Sequence, residues 1–347
     1  MSPNPLLSVG VVGATGIVGR EFIKILEERK FSIQELRLFA GQKSEGTSVQ
    51  FRGHTNQVQT LSEGCFRGLD VVFFSAGASI SEEWAPQAVK DGAFAIDNSS
   101  AFRMNPEILL VVPEVNGTSL PRSTKPTIIA NPNCSTIQLV CALSPLQEAF
   151  GITEVRVASY QSVSGAGREG IDELKSQAKE VLTNSSSPTD MTAKIFPHPI
   201  AFNNIPQIGA FNDEGYSEEE EKIMNETRKI LDMPNLRVTA FAVRTPTING
   251  HSEAVWVTLN KVVDREEILK VFRPAGGLEV MDDPSANRYP MTITASGRDP
   301  VYVGRIRQDP MDPKTWLLWV VSDNVRKGAA LNGIQIAEQI FDLNRPS

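Results

Sequence analysis

A strand-length apolar run, a turn built on three glycines and an amphipathic helix open the chain, and that order constrains the fold more than any other feature. Ser8–Val12 reads as the strand, and Gly13-Ala-Thr-Gly16-Ile-Val-Gly19 as the turn leading into a helix over Gly16–Glu28. Strands at Glu35–Ala40, Val71–Ser75, Ala93–Ile96, Leu109–Val112 and Thr127–Ala130 follow, with a helix at Ser81–Lys90 between them. Alternation of this kind predicts a Rossmann-type, doubly wound parallel sheet.

After about residue 150 the texture changes to longer alternating runs: Glu154–Val163, Arg237–Val243, Ala254–Lys261, Val301–Arg307 and Thr315–Val321. Alternation with period two predicts a mainly antiparallel sheet with one buried face. Helices at Gly170–Leu182 and Ser217–Leu231 make this an α+β domain, and Asn184–Asn204, rich in Ser, Pro and Asn, reads as a surface excursion. Lys327–Phe341 is amphipathic, with Leu331, Ile334, Ile336 and Ile340 as its apolar positions. It is expected to rejoin the first domain. The expected division is therefore a discontinuous dinucleotide-binding domain, 1–133 with 323–347, and a catalytic and subunit-pairing domain, 134–322.

A chain of 347 residues has room for two domains, since single cores stop growing at about 250–300 residues. Its 41% hydrophobic and 22% charged content is that of an ordinary globular protein. No apolar run has the roughly 18 residues a membrane span needs, and the N-terminus lacks the basic segment of a signal peptide. Three scattered cysteines make neither a disulfide framework nor a zinc site. A cytoplasmic setting is the expectation, with no metal. The net charge of −7 argues against a nucleic-acid surface but not against small anions.

The glycine turn suits a dinucleotide: glycines bring the backbone close to a pyrophosphate, and the helix start supplies N–H donors. The spacing departs from strict GxGxxG, and packing alone is the competing reading. Gly13, Thr15, Gly16, Ile17 and Val18 are the candidate contacts. At the end of the second strand, where an NAD site places an acid, Lys43 and Ser44 stand instead. They suit a 2′-phosphate and favour NADP, with a solvated loop as the alternative.

Asn131-Pro-Asn-Cys134-Ser-Thr-Ile-Gln-Leu139 places Cys134 at the start of a helix, where unpaired N–H groups stabilise a thiolate and an adjoining oxyanion. A small buried cysteine is the competing reading for Cys134. It is the preferred one for Cys141, on the apolar face of the same helix, and for Cys65.

Nine segments, in order, resemble the aspartate-β-semialdehyde dehydrogenase family: GATGIVG (13–19), FFSAG (73–77), DNSSAFR (97–103), VVPEVN (111–116), NPNCSTIQ (131–138), YQSVSGAG (160–167), IAFNNIPQIG (200–209), RTPTINGHSEAV (244–255) and VVSDNVRKGAALNGIQIAE (320–338). The resemblance implies reversible, NADPH-dependent reductive dephosphorylation of aspartyl-β-phosphate to aspartate-β-semialdehyde, on the route to lysine, threonine and methionine, by a homodimer or homotetramer.

It further implies Cys134 as the acylated nucleophile, Gln161 as the amide that orients the intermediate, and His251 as the acid/base group, with an imidazole near its ordinary pKa of about 6.5. It gives Arg244 the substrate α-carboxylate, Glu219 the ammonium, and Arg103 and Lys222 the phosphate. Ser164, Gly165 and Asn324 become cofactor contacts. Glu219 and Lys222 also read as part of a solvated charged helix face, crowded by Glu218, Glu220 and Glu221. His54 and His198 read as surface or structural groups, Arg168 is a cation without a role, and Trp256, Trp316 and Trp319 mark core or subunit contact. The competing functions are an N-acetyl-γ-glutamyl-phosphate reductase-like enzyme, against which Asn133 and NCSTIQ speak, and a non-catalytic dinucleotide-binding regulator.

Overall fold

A computed structural model describes residues 5–121, 125–184, 187, 189 and 191–343. The chain divides into two compact units, Met1–Asn133 with Ala329–Ser347, and Cys134–Gly328.

The first unit contains β1 (Leu7–Val12), α1 (Ile17–Glu28), β2 (Ile33–Phe39), β3 (Ser48–Phe51), β4 (His54–Gln59), β5 (Val71–Phe74), α2 (Ala78–Lys90), β6 (Phe94–Asp97), β7 (Leu109–Leu110), α3 (Pro113–Asn116) and β8 (Ile128–Ala130). Among the described residues the sheet order is β3-β4-β2-β1-β5-β6-β8-β7, parallel throughout except for the β3–β4 pair. This is the doubly wound parallel sheet the alternation predicts.

Both faces are apolar because both are covered. Val9, Val11, Val71 and Phe73 point to one side, into a core with Phe22 and Ile25. Val12, Val72 and Phe74 point to the other, with Phe39 and Phe66. Burying a side chain such as Phe73, 0% exposed and stacked 4.8 Å from Phe22, stabilises by about 1.5–3 kcal/mol.

The β3–β4 hairpin is an addition to the predicted elements. Its strands, SVQF and HTNQVQ, are largely polar because they form the sheet edge, so hydrophobic periodicity does not mark them. Arg52 and Gly53 both have positive φ, 51° and 77°, as a two-residue hairpin turn requires.

The second unit contains α4 (Cys134–Phe150), β9 (Ile152–Gln161), α5 (Gly167–Asn184), α6 (Glu218–Ile230), β10 (Arg237–Arg244), β11 (His251–Leu259), α7 (Arg265–Phe272), β12 (Leu278–Val280), α8 (Thr292–Ala295), β13 (Val301–Gln308) and β14 (Thr315–Ser322). Its sheet order is β10-β9-β11-β14-β13-β12. The three central pairings are antiparallel and the two edge pairings, β10–β9 and β12–β13, are parallel. A helical crossover explains the parallel β9–β10 edge, since α5 and α6 lie between those strands.

The excursion predicted over Asn184–Asn204 includes positions outside the described residues. From Met191 onward it has neither helix nor strand, yet Met191, Phe196, Ile200 and Ala201 are buried. It is packed rather than superficial. Gln177 of α5 holds it, accepting from the Ile200 and Ala201 N–H groups and donating to the Thr192 carbonyl.

β14 leads to a π-helical turn, Arg326–Ala330, and then to α9 (Leu331–Ile340). Leu331, Ile334 and Ile336 of α9 are buried in the core of the first unit, and Arg29 of α1 pairs with Glu338 at 2.7 Å.

Candidate active site

In the first unit the turn after β1 is packed against bare backbone. A Cβ on Gly13, whose φ is +84°, would lie 2.6 Å from the Ser75 carbonyl oxygen, and one on Gly19 would collide with the Gly13 carbonyl. Gly16 caps α1 without a side-chain hydrogen bond, and the first turn carries no acid. Such a helix start leaves N–H groups for an anion. Thr15 Oγ1 and Ser44 Oγ lie 3.2 Å apart, and Lys43 is exposed beside them. The donor set fits a phosphorylated dinucleotide.

Asp97, wholly buried, accepts from Ser81 Oγ, Ser99 N and Ser99 Oγ and so shapes the DNSS turn. Arg103, 8% exposed, donates from Nε to the Asn131 carbonyl (3.0 Å) and from Nη2 to the Asn98 carbonyl (2.9 Å).

In the second unit α4 starts at Cys134, and Gly328 of the π turn packs closely enough that an added Cβ would lie 2.8 Å from the Cys134 Cβ. Beside α4, the C-terminus of β9 and the N-terminus of β11 place Gln161 and His251 on the inner sheet face. Arg244 comes from the end of β10, in register with Gln161. Gln161 Nε2 donates to Glu219 Oε1 at 3.0 Å. Arg244 Nη1 donates to the Ser162 carbonyl at 2.7 Å, and its guanidinium lies 5.9 Å from the Phe196 ring centre. Burial pulls its pKa below the ordinary value, while the charges of Glu219 and Cys134 push back. Cys134, Gln161, Glu219, Arg244 and His251 therefore share one electrostatic neighbourhood.

Gly165 has a steric role there. A Cβ on it would lie 2.7 Å from Arg244 Nη1 and 3.3 Å from His251 Nε2. Only glycine leaves both groups open.

His251 is fully buried, and that burial, with the Arg244 charge second, pushes its pKa down to about 3; the Gly250 carbonyl opposes weakly. This corrects the expectation of an imidazole near its ordinary value. Nδ1 receives the Ser162 N–H at 3.1 Å, so the resting ring carries its proton on Nε2, which has no hydrogen-bond partner. Asn324 Oδ1 accepts from Gly250 N (2.8 Å), Ser162 Oγ (3.1 Å) and Ser164 Oγ (3.1 Å), binding the turns on either side of the ring together.

The four glutamates at the start of α6 separate by environment. Glu219 turns in to Gln161. Glu220 accepts from the Ser217 and Ala242 N–H groups, Glu221 from Asn212, and Glu218 is exposed with Lys222 3.9 Å away. Arg168 pairs with Asp172 on the exposed side of α5. His54 and His198 are exposed, Cys141 is buried and Cys65 half-buried. Trp316 is core, whereas Trp256 and Trp319 stand on the outer sheet face.

Ser162, Gln138 and Glu253 belong to this neighbourhood; all three lie within segments of the family resemblance, which gave none of them a role. Two spacings carry the signal. Gln138 is four residues along the helix from Cys134, and Glu253 is an acid on the core-facing phase of a strand, two residues after His251.

A Rossmann unit joined to a unit that gathers a thiol, an imidazole and a buried guanidinium defines a semialdehyde dehydrogenase. Family models match both parts: the semialdehyde dehydrogenase NAD binding domain over residues 8–122 and the dimerisation domain over 143–327. The chain belongs to the aspartate-semialdehyde dehydrogenase family. It is 50% identical to the aspartate-semialdehyde dehydrogenase of Aquifex aeolicus over 331 residues, covering 95% of this chain and 96% of that one. To the Bacillus subtilis enzyme of that name it is 47% identical over 346 residues, covering 97% and 98%. Aspartate semialdehyde dehydrogenase II of Vibrio cholerae, solved alone and complexed with ASA, superposes with a TM-score of 0.93 at 42% identity, over 98% of this chain and 99% of that one.

Proposed function

We propose that this protein is an aspartate-β-semialdehyde dehydrogenase that reduces L-aspartyl-β-phosphate to L-aspartate-β-semialdehyde, reversibly, through a thioester on Cys134. The observation that carries this reading is the Gly165 spot, where Arg244 Nη1 and His251 Nε2 approach one glycine inside the unit that starts with Cys134.

Arg244 gives a substrate carboxylate a planar, buried partner, and Glu219 beside Gln161 gives an ammonium its acceptor. Together they orient an aspartyl group by its α-carbon substituents. The Cys134 thiolate attacks the acyl phosphate, phosphate leaves, and the thioester remains; Lys222 is a cation of this unit suited to the phosphate. Arg103 keeps its proposed phosphate role on the family resemblance alone. His251 holds a proton at Nε2, which hydrogen-bonds the acyl oxygen as it becomes negative, the role of a neutral imidazole electrophile. A carboxylate bound to Arg244 offsets part of the charge that depresses His251, so substrate binding makes the ring more basic. The nicotinamide cofactor supplies the hydride. Gly13, Thr15, Gly16, Ile17, Val18, Lys43 and Ser44 are its proposed holders in the first unit, and the Lys43–Ser44 pair favours NADP. Ser164, Gly165 and Asn324 are proposed cofactor contacts of the second.

We assign the dimer contact to the outer sheet face, where Tyr160 and Trp319 rings meet at 5.6 Å beside an open groove of about 540 Å³ lined by Trp256, Tyr289 and Leu317. Among the described residues no helix is long and apolar enough to cross a membrane, and a cytoplasmic location is part of the proposal.

Reduction of NADP, and of NAD beside it, is to be followed with aspartate-β-semialdehyde and with N-acetylglutamate-γ-semialdehyde, with and without phosphate. Phosphate-dependent turnover of the first aldehyde with NADP is expected. Preference for the second aldehyde, or no turnover of either, sinks the assignment.

A further inference from the structure

Asp323 is a buried acid without a task in the steps above, although it stands between the groups that carry them. It follows β14 directly and is 4% exposed. Its Oδ1 accepts from the Val325 and Arg326 N–H groups, each at 2.9 Å. Its Oδ2 accepts from Asn249 Nδ2 at 2.8 Å and from the Gly297 N–H at 2.7 Å. Each oxygen therefore meets two N–H donors, a set that only a carboxylate satisfies in full.

The first oxygen has a local explanation. An acid ahead of a helical segment commonly accepts from the N–H groups two and three residues on, and Asp323 caps the π turn in this way. The Gly328 N–H of that turn returns to the Asp323 carbonyl at 3.0 Å, and Gly328 is the residue packed against the Cys134 Cβ.

Capping leaves the second oxygen unexplained. Asn249 stands two residues before His251, and its partners orient its amide. A carboxylate only accepts, so Nδ2 faces Asp323, and Asn249 Oδ1 accepts from Ser164 Oγ at 3.1 Å. Gly250, between Asn249 and His251, donates its N–H to Asn324 Oδ1 at 2.8 Å. The adjacent side chains of Asp323 and Asn324 thus hold both residues that lead into His251.

We infer that Asp323 is a positioning residue that sets the Cys134 thiol and the His251 imidazole from one point, holding the turn behind Cys134 with one oxygen and the approach to His251 with the other. The inference rests on the roles proposed above for Cys134 and His251. It makes the usual neutral replacement a severe one. The amide of Asp323→Asn must turn its NH2 toward one of the two donor pairs, whichever way it rotates.

The test compares the wild-type enzyme with Asp323→Asn, Asn249→Ala and the double variant, each checked for folding by circular dichroism. Two readouts are taken: kcat and KM with aspartate-β-semialdehyde, and the pH dependence of Cys134 alkylation by iodoacetamide, followed on the Cys134 peptide by mass spectrometry. Asp323→Asn should lower kcat by about 10²-fold, the cost of a misplaced reacting group, leave KM within about threefold, the range of a near-neutral change, and alter the alkylation profile. Asn249→Ala cuts only the link to His251. It should lower kcat by about tenfold, within the worth of a hydrogen bond to a charged group, with alkylation as in the wild type. Adding Asn249→Ala to Asp323→Asn should cost no more than about a further twofold, because the two changes break one connection.

An Asp323→Asn enzyme with wild-type kcat or a wild-type alkylation profile overturns the proposal. So do losses that multiply in the double variant. If Asp323→Asn does not fold, Asn249→Ala decides: kcat lowered with alkylation unchanged supports the proposal, and wild-type kcat overturns it. A wild-type enzyme that alkylates at Cys134 but does not turn over the semialdehyde removes the proposed function, and the alkylation profile of Asp323→Asn, which needs no turnover, then decides the positioning role.

Discussion

The two units build their candidate sites from different materials. In the first, the turn after β1 is a backbone device: glycines at 13, 16 and 19, and a helix start with neither a side-chain cap nor an acid in its first turn. In the second, the inner end of the β10-β9-β11-β14 sheet is a side-chain device, with Arg244, Glu219, His251 and Glu253 all buried within a few residues of three strand ends and one helix. A backbone site tolerates change in most side chains but not in the glycines. A site of buried charges depends on every partner, because each group's charge state is set by its neighbours. Arg244 lowers His251, and Glu219 supports Arg244.

Cys134→Ala tests the second unit most severely. Turnover should fall at least about 10⁴-fold, as for loss of a nucleophile, while NADPH binding followed by fluorescence should be unchanged. Arg244→Lys keeps the charge and loses the planar fork. A drop of about 10- to 100-fold in kcat/KM is expected, the worth of a charged hydrogen bond, and unchanged kinetics would remove Arg244 from the substrate.

Paired glycine substitutions separate the two materials directly. Gly19→Ala should cost about 1–3 kcal/mol of stability through overpacking and weaken the cofactor, because its Cβ meets the Gly13 carbonyl. Gly165→Ala has an ordinary φ and instead meets Arg244 and His251. Its loss should appear in kcat/KM with little change in Tm, and the opposite pattern would erase the distinction.

The smallest expected effect is on pH dependence. His251 is depressed from about 6.5 to about 3, so between those values the unfolded chain binds a proton the folded chain does not. His251 therefore contributes stability above pH 6.5 that is lost as the pH falls toward 3. Thermal unfolding of His251→Gln should show a shallower acid-side loss than the wild type; equal slopes would mean the ring is not buried neutral.

The same contrast decides what the amino-acid sequence reveals. A backbone site writes itself locally, as glycines between a strand and a helix, and the parallel sheet follows from apolar runs covered on both faces. The β3–β4 hairpin escaped because an edge strand need not be apolar. The parallel edges of the second sheet escaped because alternation reports which face is buried, not strand direction. Cys134 at a helix start is also local, but the state of His251 is not, since the burial and the Arg244 charge that depress it come from elements far apart in the chain. Among four adjacent glutamates, only the turn of α6 against β9 and β10 singles out Glu219.

The central claim is an acyl group on Cys134. Enzyme mixed with aspartate-β-semialdehyde and NADP without phosphate, quenched in acid and digested, should yield one modified peptide by mass spectrometry, the Cys134 peptide carrying an aspartyl group, and phosphate added before the quench should discharge it. NADPH formed with no adduct, or an adduct on Cys65 or Cys141 instead, would contradict the account.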